Sequence, residues 1–208
     1  HTLIAELQHR TRNLLSIVRS ISQQTLRSSG SLDEFGHEFG SRLAALSRVQ
    51  GLLSKGDGFS VTLEELIRGE LEAHGTDIDG SKVVVEGPPV TLSSREVQIL
   101  TLALHELATN AVKHGALAQP HAELRVTWKV SNTDGSPTVA IRWAEHGVAM
   151  PGSEPEAKRG FGRELIERAL PYDLGAETAF HLGADGVRCE LKTPLEKAAE
   201  PSDDRPGD

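Results

Sequence analysis

The stretch that decides the fold and the candidate site is Leu104-His105-Glu106-Leu107-Ala108-Thr109-Asn110-Ala111-Val112-Lys113-His114-Gly115. It predicts one helix, because Ser93 and Glu96 form a capping box that begins the helix and Gly115 provides a stop. Apolar residues recur at helical spacing through this region: Leu100, Leu104, Leu107, Ala108 and Ala111. The helix therefore has one face suited to a hydrophobic core.

A second face of the same helix carries three polar side chains. Glu106, Asn110 and Lys113 are spaced i, i+4 and i+7, so they project side by side. A carboxylate and an amide supply the hard oxygen ligands that Mg²⁺ prefers, and an ammonium group attracts phosphate. The pattern fits a magnesium-triphosphate site. For an arbitrary helix, a solvated polar face would be the better interpretation of the same pattern. With a magnesium site, too, this face is predicted not to be part of the core.

Composition limits the class of protein. The chain has 208 residues, 38% hydrophobic and 25% charged, which is typical of a globular protein with one large or two small domains. The net charge of -8 argues against general binding of nucleic acid or of an anionic membrane. The single cysteine, Cys189, excludes an internal disulfide framework, and no signal peptide or membrane span is predicted. We expect a cytoplasmic protein.

The N-terminal part predicts a helical hairpin. Residues 3–28 carry an apolar heptad pattern, a Ser-Gly cluster follows, and a second helical pattern covers Leu32 to Leu53. Two long helices joined by a short turn form an antiparallel hairpin, assigned to residues 1–56. The sequence begins inside the first pattern without an initiator Met, so we expect an upstream region, a sensor, to be missing.

Residues 59–195 alternate helices and strands. The capping box of Thr62 and Glu65 predicts a helix, and Phe161 to Leu170 predicts another. Strands are predicted at 82–86, 123–130, 138–145, 176–182 and 186–193, the last four as two hairpins. Strands mixed with helices indicate an α+β domain. The polar tail, residues 196–208, is predicted to be disordered.

Three further fragments fit the binding of a nucleotide or the transfer of its phosphate, each weakly when alone. His9 falls at a solvent-facing heptad position beside Arg10 and Asn13, which suits a phosphate acceptor, although an ordinary exposed helix residue is the better interpretation of this fragment alone. Trp143-Ala144-Glu145 ends a strand with a carboxylate able to accept from an exocyclic amine, although a structural carboxylate fits as well. Gly160-Phe161-Gly162 precedes a helix whose amides suit phosphate.

Other motifs fail. His105-Glu106 begins like a zinc-binding HExxH motif, but Thr109 stands where the second histidine is required. The remaining histidines lack ligand spacing, so no zinc site is predicted. No Walker P-loop or dinucleotide-binding fingerprint occurs.

Together these segments resemble HWE-type histidine kinases. Residues 6–13 resemble the family's phosphoacceptor box, and residues 104–115 its N-box with the extra histidine, His105. Trp143-x-Glu145 resembles the W and E of the family, and residues 160–162 resemble the glycine box. The resemblance covers about residues 3–194 and implies a dimerisation and phosphoacceptor hairpin followed by a Bergerat-type ATP-binding α/β sandwich with a mixed sheet.

The resemblance also implies roles for individual residues. His9 would be the phosphoacceptor, supported by Arg10 and Asn13, and Asn110 would hold Mg²⁺. Glu106 would lie next to the reacting groups and act as a base or position a water molecule. ATP binding would involve a wider set: His105, Asn110, Lys113, His114, Trp143, Glu145, Gly147, Gly160, Phe161 and Gly162. The family's second glycine after the WxE segment is replaced by Val148, and its proline is delayed to Pro151.

The implied activity is ATP-dependent autophosphorylation on His9 and transfer to an Asp of a response regulator receiver domain. A homodimer through the hairpin is expected, without nucleic-acid or membrane contact. Two alternatives stay open from the sequence: a non-catalytic nucleotide-binding scaffold that regulates a partner, and a protein-serine kinase on the same ATP-binding fold.

Overall fold

The computed structural model describes residues 2–53, 60–78, 80–133, 136–149 and 161–195, without the side chains of residues 2–10, 13, 133 and 136. Its helices are α1 Thr2–Ser28, α2 Leu32–Leu53, α3 Leu63–Ala73, α4 Ser94–Lys113, α5 Phe161–Glu164 and α6 Leu170–Leu174. A 3₁₀ turn covers Ala116–Ala118, and a π-helical turn covers Leu165–Ala169. Its strands are β1 Val61–Thr62, β2 Val83–Glu86, β3 Thr91–Leu92, β4 Glu123–Thr133, β5 Ser136–His146, β6 Glu177–Gly183 and β7 Gly186–Pro194.

The N-terminal helices have the lengths that the apolar pattern predicts. A short turn joins them, in which the Ser29 N–H donates to the Thr25 carbonyl and the Glu34 N–H donates to the Ser31 hydroxyl. Helix α1 packs mainly on α2, and α2 packs on α4. The boundary expected at residues 55–58 and the tail at 196–208 lie outside the described residues, so the domain limits stay a prediction.

Five strands form one mixed sheet in the order β2-β4-β5-β7-β6. β2 is parallel to β4, while the other neighbours are antiparallel. Buried Leu124, Val126 and Trp128 alternate with exposed Arg125, so one face of the sheet is packed and the other faces solvent. The predicted α+β class with a mixed sheet is confirmed.

The helices cover the packed face. Both predicted capping boxes are present, with Thr62 and Glu65 beginning α3 and Ser93 and Glu96 beginning α4. Buried side chains of α2, α3, α4 and the strands belong to one continuous hydrophobic core. The hairpin is therefore docked on the sandwich through apolar packing as well as through the polar contacts described below.

Two local features differ from the sequence prediction. The helix predicted from Phe161 to Leu170 continues to Leu174 through a π-helical turn, in which the Leu170 N–H donates to the Leu165 carbonyl. Pro171 follows directly, and its missing N–H disrupts regular α-helical bonding. The two-residue strands β1 and β3 pair with each other outside the main sheet, and their length is too short for an alternating pattern.

Candidate functional site

A cleft lies between α2, α4 and the end of α3, with a volume of about 200 Å³. The predicted residues His105, Glu106, Asn110 and Lys113 all line it from α4. The facing wall comes from α2 and α3: His37, Glu38, Ser41, Arg42 and His74. The helical spacing read from the sequence therefore does bring this set of polar side chains to one concave surface.

Glu106 is paired at the bottom of the cleft with Arg42 of α2. The Arg42 Nε donates to Glu106 Oε1 at 2.7 Å, and a second guanidinium nitrogen donates to Oε2 at 3.2 Å. Arg42 is 5% exposed and Glu106 is 7% exposed. Arg42 also donates to the Thr25 hydroxyl at 2.9 Å and to Glu38 at 3.2 Å. One buried guanidinium thus ties α1, α2 and α4 together.

The burial of Glu106 corrects the prediction that its helix face lies outside the core. Asn110 and Lys113 are exposed as expected, but α2 covers the first turn of this face. The reason is the position of Arg42, which a single helix pattern cannot show. Lys113 approaches Glu38 of α2 only at 4.0 Å, so its ammonium group stays accessible in the cleft.

The glycine-box residues that the structure describes pack on this ion pair. The Arg42 guanidinium carbon lies 3.9 Å from the centre of the Phe161 ring, a cation–π contact. A Cβ added at Gly162 would lie 2.9 Å from the Glu106 Cβ, so only glycine allows α5 to approach α4 this closely. Gly160 and Pro151 lie outside the described residues.

His105 points away from Glu106 into a separate hydrogen-bond chain. Its Nδ1 lies 3.1 Å from Glu70 Oε2 on α3, and its Nε2 lies 2.9 Å from the Ser41 hydroxyl on α2. The Glu70 carboxylate also accepts two hydrogen bonds from Arg48 at 2.9 and 3.0 Å. Burial opposes ionisation of Glu70, but the bonds from His105 and Arg48 outweigh it and lower the pKa of this carboxyl.

Trp143 and Glu145 form a second cluster at the end of β5, beyond the end of α4. Glu145 is 2% exposed, and its two oxygens accept from the Ala116 N–H at 2.7 Å and from the Trp143 indole N–H at 3.0 Å. Gly115 is needed here because a Cβ at that position would collide with the Glu145 carboxylate. Trp143 itself is a core residue, 2% exposed.

Burial raises the pKa of Glu145, although the bonds from Trp143 and Ala116 oppose that rise. A carboxyl whose pKa is higher in the folded state stabilises the fold at low pH, and this contribution is lost as the pH rises through that pKa. The adenine-reading role stays a prediction, and the structure adds a structural role for the same carboxylate.

We expect Glu145→Gln to destabilise the protein by about 1–3 kcal/mol, because an amide nitrogen would face one of the two buried N–H donors. Chemical denaturation without nucleotide measures this effect. Glu190→Gln on the exposed face of β7 is the control and should change stability little. Competition between ATP and GTP for wild type and for Glu145→Gln tests whether this residue recognises the base. If the ratio of ATP affinity to GTP affinity is the same in both proteins, Glu145 has the structural role alone.

The remaining predicted residues either lie at the ends of helices and strands or have side chains that the structure does not describe. His114 is exposed at the C-terminus of α4. The Gly147 N–H donates to Asp185 Oδ1 at 2.9 Å, and the Val148 N–H donates to the Asp185 carbonyl, so this turn is held by the β6–β7 hairpin. His9, Arg10 and Asn13 lie in α1, but their side chains are not described.

The sequence interpretation missed Arg42, Glu70 and His74. Arg42 and Glu106 are 64 positions apart, so no local pattern joins them. Glu70 and His74 are one helical turn apart on α3, a spacing that marks side chains on one face. This i, i+4 spacing of a carboxylate and a histidine was the sequence feature that could have indicated a shared site.

The structure thus combines a helical hairpin with a two-layer α/β domain and places a carboxylate, an amide and an ammonium group along one cleft. A sequence model of the HWE histidine kinase family matches residues 6–89. The matched segment, residues 6–89, is assigned to this family.

The relatives agree with that assignment. The chain is 32% identical over 190 residues to a blue-light-activated histidine kinase of Brucella anthropi, covering 91% of this chain and 38% of the relative. The blue-light-activated histidine kinase of Brucella ovis is 31% identical over 190 residues, again covering 91% of this chain and 38% of the relative. The chain thus spans less than half the length of the curated relatives that it matches.

Solved structures share the fold. The blue-light-activated histidine kinase of Erythrobacter litoralis superimposes with a TM-score of 0.62 at 22% identity, over 93% of this chain and 59% of that one. The histidine kinase domain of the same protein gives a TM-score of 0.54 at 20% identity, over 92% and 90% of the two chains. Within the described ranges, no helix is both long and apolar enough to cross a membrane.

Proposed function

We propose that this chain is the kinase core of a two-component sensor histidine kinase. It binds ATP with Mg²⁺, phosphorylates itself on His9 and passes the phosphoryl group to an Asp of a response regulator. The observation that carries the proposal is the alignment of Glu106, Asn110 and Lys113 along one wall of a cleft, with the glycine-box residue Gly162 packed on Glu106.

The residues of the cleft fit a magnesium-bound triphosphate. Asn110 offers an exposed amide oxygen, a hard ligand, and the Lys113 ammonium is an accessible cation for a phosphate oxygen. When bound, Mg²⁺ neutralises phosphate charge. Asn110 is the residue that would hold it, with the Glu38 carboxylate on the facing wall of the same cleft.

In the proposed reaction the lone pair of the neutral His9 imidazole attacks the γ-phosphorus in line, and ADP leaves with the electrons of the broken P–O bond. The proton on the other ring nitrogen of His9 passes to a carboxylate, for which Glu106 is the candidate. In the structure Glu106 is held by Arg42. The proposal therefore requires the Arg42 pair to open before Glu106 can act as a base.

The partners follow from the same proposal. A receiver domain would approach the hairpin that carries His9. Leu15 and Leu26 lie on one side of α1, three turns apart, and are 63% and 65% exposed. This apolar surface supports a homodimer through the hairpin. The proposed sensor region would belong to the length of the relatives that this chain does not cover. The cytoplasm is the proposed location.

The test of the proposal uses ATP labelled at different phosphates. With Mg²⁺ present, ATP labelled at the γ-phosphate should label the chain, while ATP labelled at the α-phosphate should not. Labelling from neither nucleotide, with binding of ATP intact, would favour the scaffold alternative and overturn the kinase proposal.

We expect Asn110→Ala to weaken magnesium-dependent ATP binding at least about tenfold, because it removes a hard oxygen ligand while the exposed position leaves the fold intact. Calorimetry with and without Mg²⁺ measures the effect. Asn132→Ala, at an exposed position on β4, is the matched control. Equal Mg-ATP affinity in wild type and Asn110→Ala would place the metal elsewhere.

A further inference from the structure

A group of metal-ligating side chains lies between the end of α3 and the part of α4 that precedes Asn110. Among the residues that the structure describes, Glu70, His74 and His105 form one such group, with one ligand atom of each within 4.8 Å of the others. Glu70 and His105 are buried and His74 is half-buried. No part of the proposed phosphoryl transfer uses Glu70 or His74.

The hydrogen bonds of His74 prepare it as a metal ligand. His74 Nδ1 lies 2.8 Å from the Glu70 main-chain carbonyl, so this nitrogen carries the proton and Nε2 has the lone pair. That Nε2 is 3.0 Å from the Thr109 hydroxyl, which donates to it. An Nδ1–H held by a carbonyl is the common arrangement around metal-binding histidines.

His105 supplies the second nitrogen when its proton moves from Nδ1 to Nε2, where the Ser41 hydroxyl can accept it, so that Nδ1 has its lone pair free for the ion. Its ring centre is 5.0 Å from that of His74, and its Nδ1 is 3.1 Å from Glu70 Oε2. Two imidazoles and one carboxylate are a known ligand set for Zn²⁺, with a fourth position left for water. Zinc bond lengths place neighbouring ligand atoms about 3.4 Å apart, so small side-chain movements would complete the group.

We propose that Glu70, His74 and His105 bind a zinc ion, a second metal site that is separate from the magnesium-nucleotide site. Arg48, which now pairs with Glu70, has a 40% exposed side chain and can turn into solvent when the ion takes the carboxylate. The cleft gives the ion a path to the ligands, because His74, His105, Ser41 and Thr109 all line it. Nitrogen ligands favour zinc over Mg²⁺.

The test is calorimetric titration of the metal-free chain with zinc chloride in the absence of nucleotide. We expect one zinc ion per chain at this site, and at least about tenfold weaker binding in His74→Gln, which removes one nitrogen ligand. Two controls should bind zinc as wild type does. His181→Gln changes an exposed histidine on β6, and Asn110→Ala damages only the proposed magnesium site.

Cobalt(II) provides a second measurement that does not depend on one variant. Four-coordinate Co²⁺ absorbs strongly in the visible range, so wild type should show this band and His74→Gln should lose it, with folding checked by circular dichroism. If His74→Gln fails to fold, His105→Gln takes its place. Absence of zinc binding by wild type, or equal binding by a folded His74 variant, would overturn the proposal while leaving the kinase proposal untouched.

Discussion

Replacing His9 with glutamine should abolish phosphorylation of the chain by ATP while leaving nucleotide affinity unchanged. Glutamine keeps a polar side chain of similar reach but has no nucleophilic ring nitrogen, so no phosphoryl-enzyme can form. The affinity should be preserved because His9 lies on α1, whereas the cleft residues proposed to bind Mg-ATP lie on α4. The measurement is incorporation of γ-phosphate beside calorimetric binding of Mg-ATP.

His121→Gln provides the matched control for this experiment, since it removes an exposed histidine at a position outside the hairpin. It should be labelled as wild type is. Labelling of His9→Gln at the wild-type level would mean that another residue accepts the phosphoryl group, even if ATP binding and the fold are as described.

Loss of Arg42 should have the largest effect on stability. Arg42→Ala leaves Glu106 with an unpaired charge that is 7% exposed, and removing one partner of a buried pair typically costs about 3–5 kcal/mol. The variant also loses the bond to Thr25 and the contact with the Phe161 ring. Chemical denaturation measures the change in the free energy of unfolding.

The control is Arg68→Ala, which removes an arginine from an exposed pair with Glu64 one turn earlier on α3. Exposed pairs of this kind contribute about 0–1 kcal/mol. The double variant Arg42→Leu with Glu106→Leu should recover part of the lost stability, because it leaves no buried charge. If Arg42→Ala and Arg68→Ala lower the free energy of unfolding by similar small amounts, Arg42 does not hold the hairpin on the sandwich through its buried hydrogen bonds.

Local sequence patterns predicted the elements well because their causes are local. The Ser93 and Glu96 capping box, the heptad pattern of the hairpin and the alternation along β4 each fix one element without reference to the rest of the chain. The π-helical turn before Pro171 was missed because its bonding depends on one proline inside an otherwise regular pattern.

The part of the site that local sequence patterns determine was predicted, and the part that depends on tertiary contacts was not. Glu106, Asn110 and Lys113 share a helix, so their grouping follows from spacing. Arg42 reaches Glu106 from α2, and His105 meets Glu70 of α3, so both contacts depend on tertiary packing. Burial of Glu106 could not be predicted without knowing that α2 covers it.

The chemical stability of the phosphorylated chain tests the central claim most directly. Wild type is labelled with γ-phosphate from ATP and Mg²⁺, then treated in parallel with acid and with alkali, and the labelled peptide is identified by mass spectrometry. The account predicts a label that is lost in acid, kept in alkali and located on the peptide that contains His9. A label that survives acid, or one on a serine, would contradict it and identify a protein-serine kinase instead.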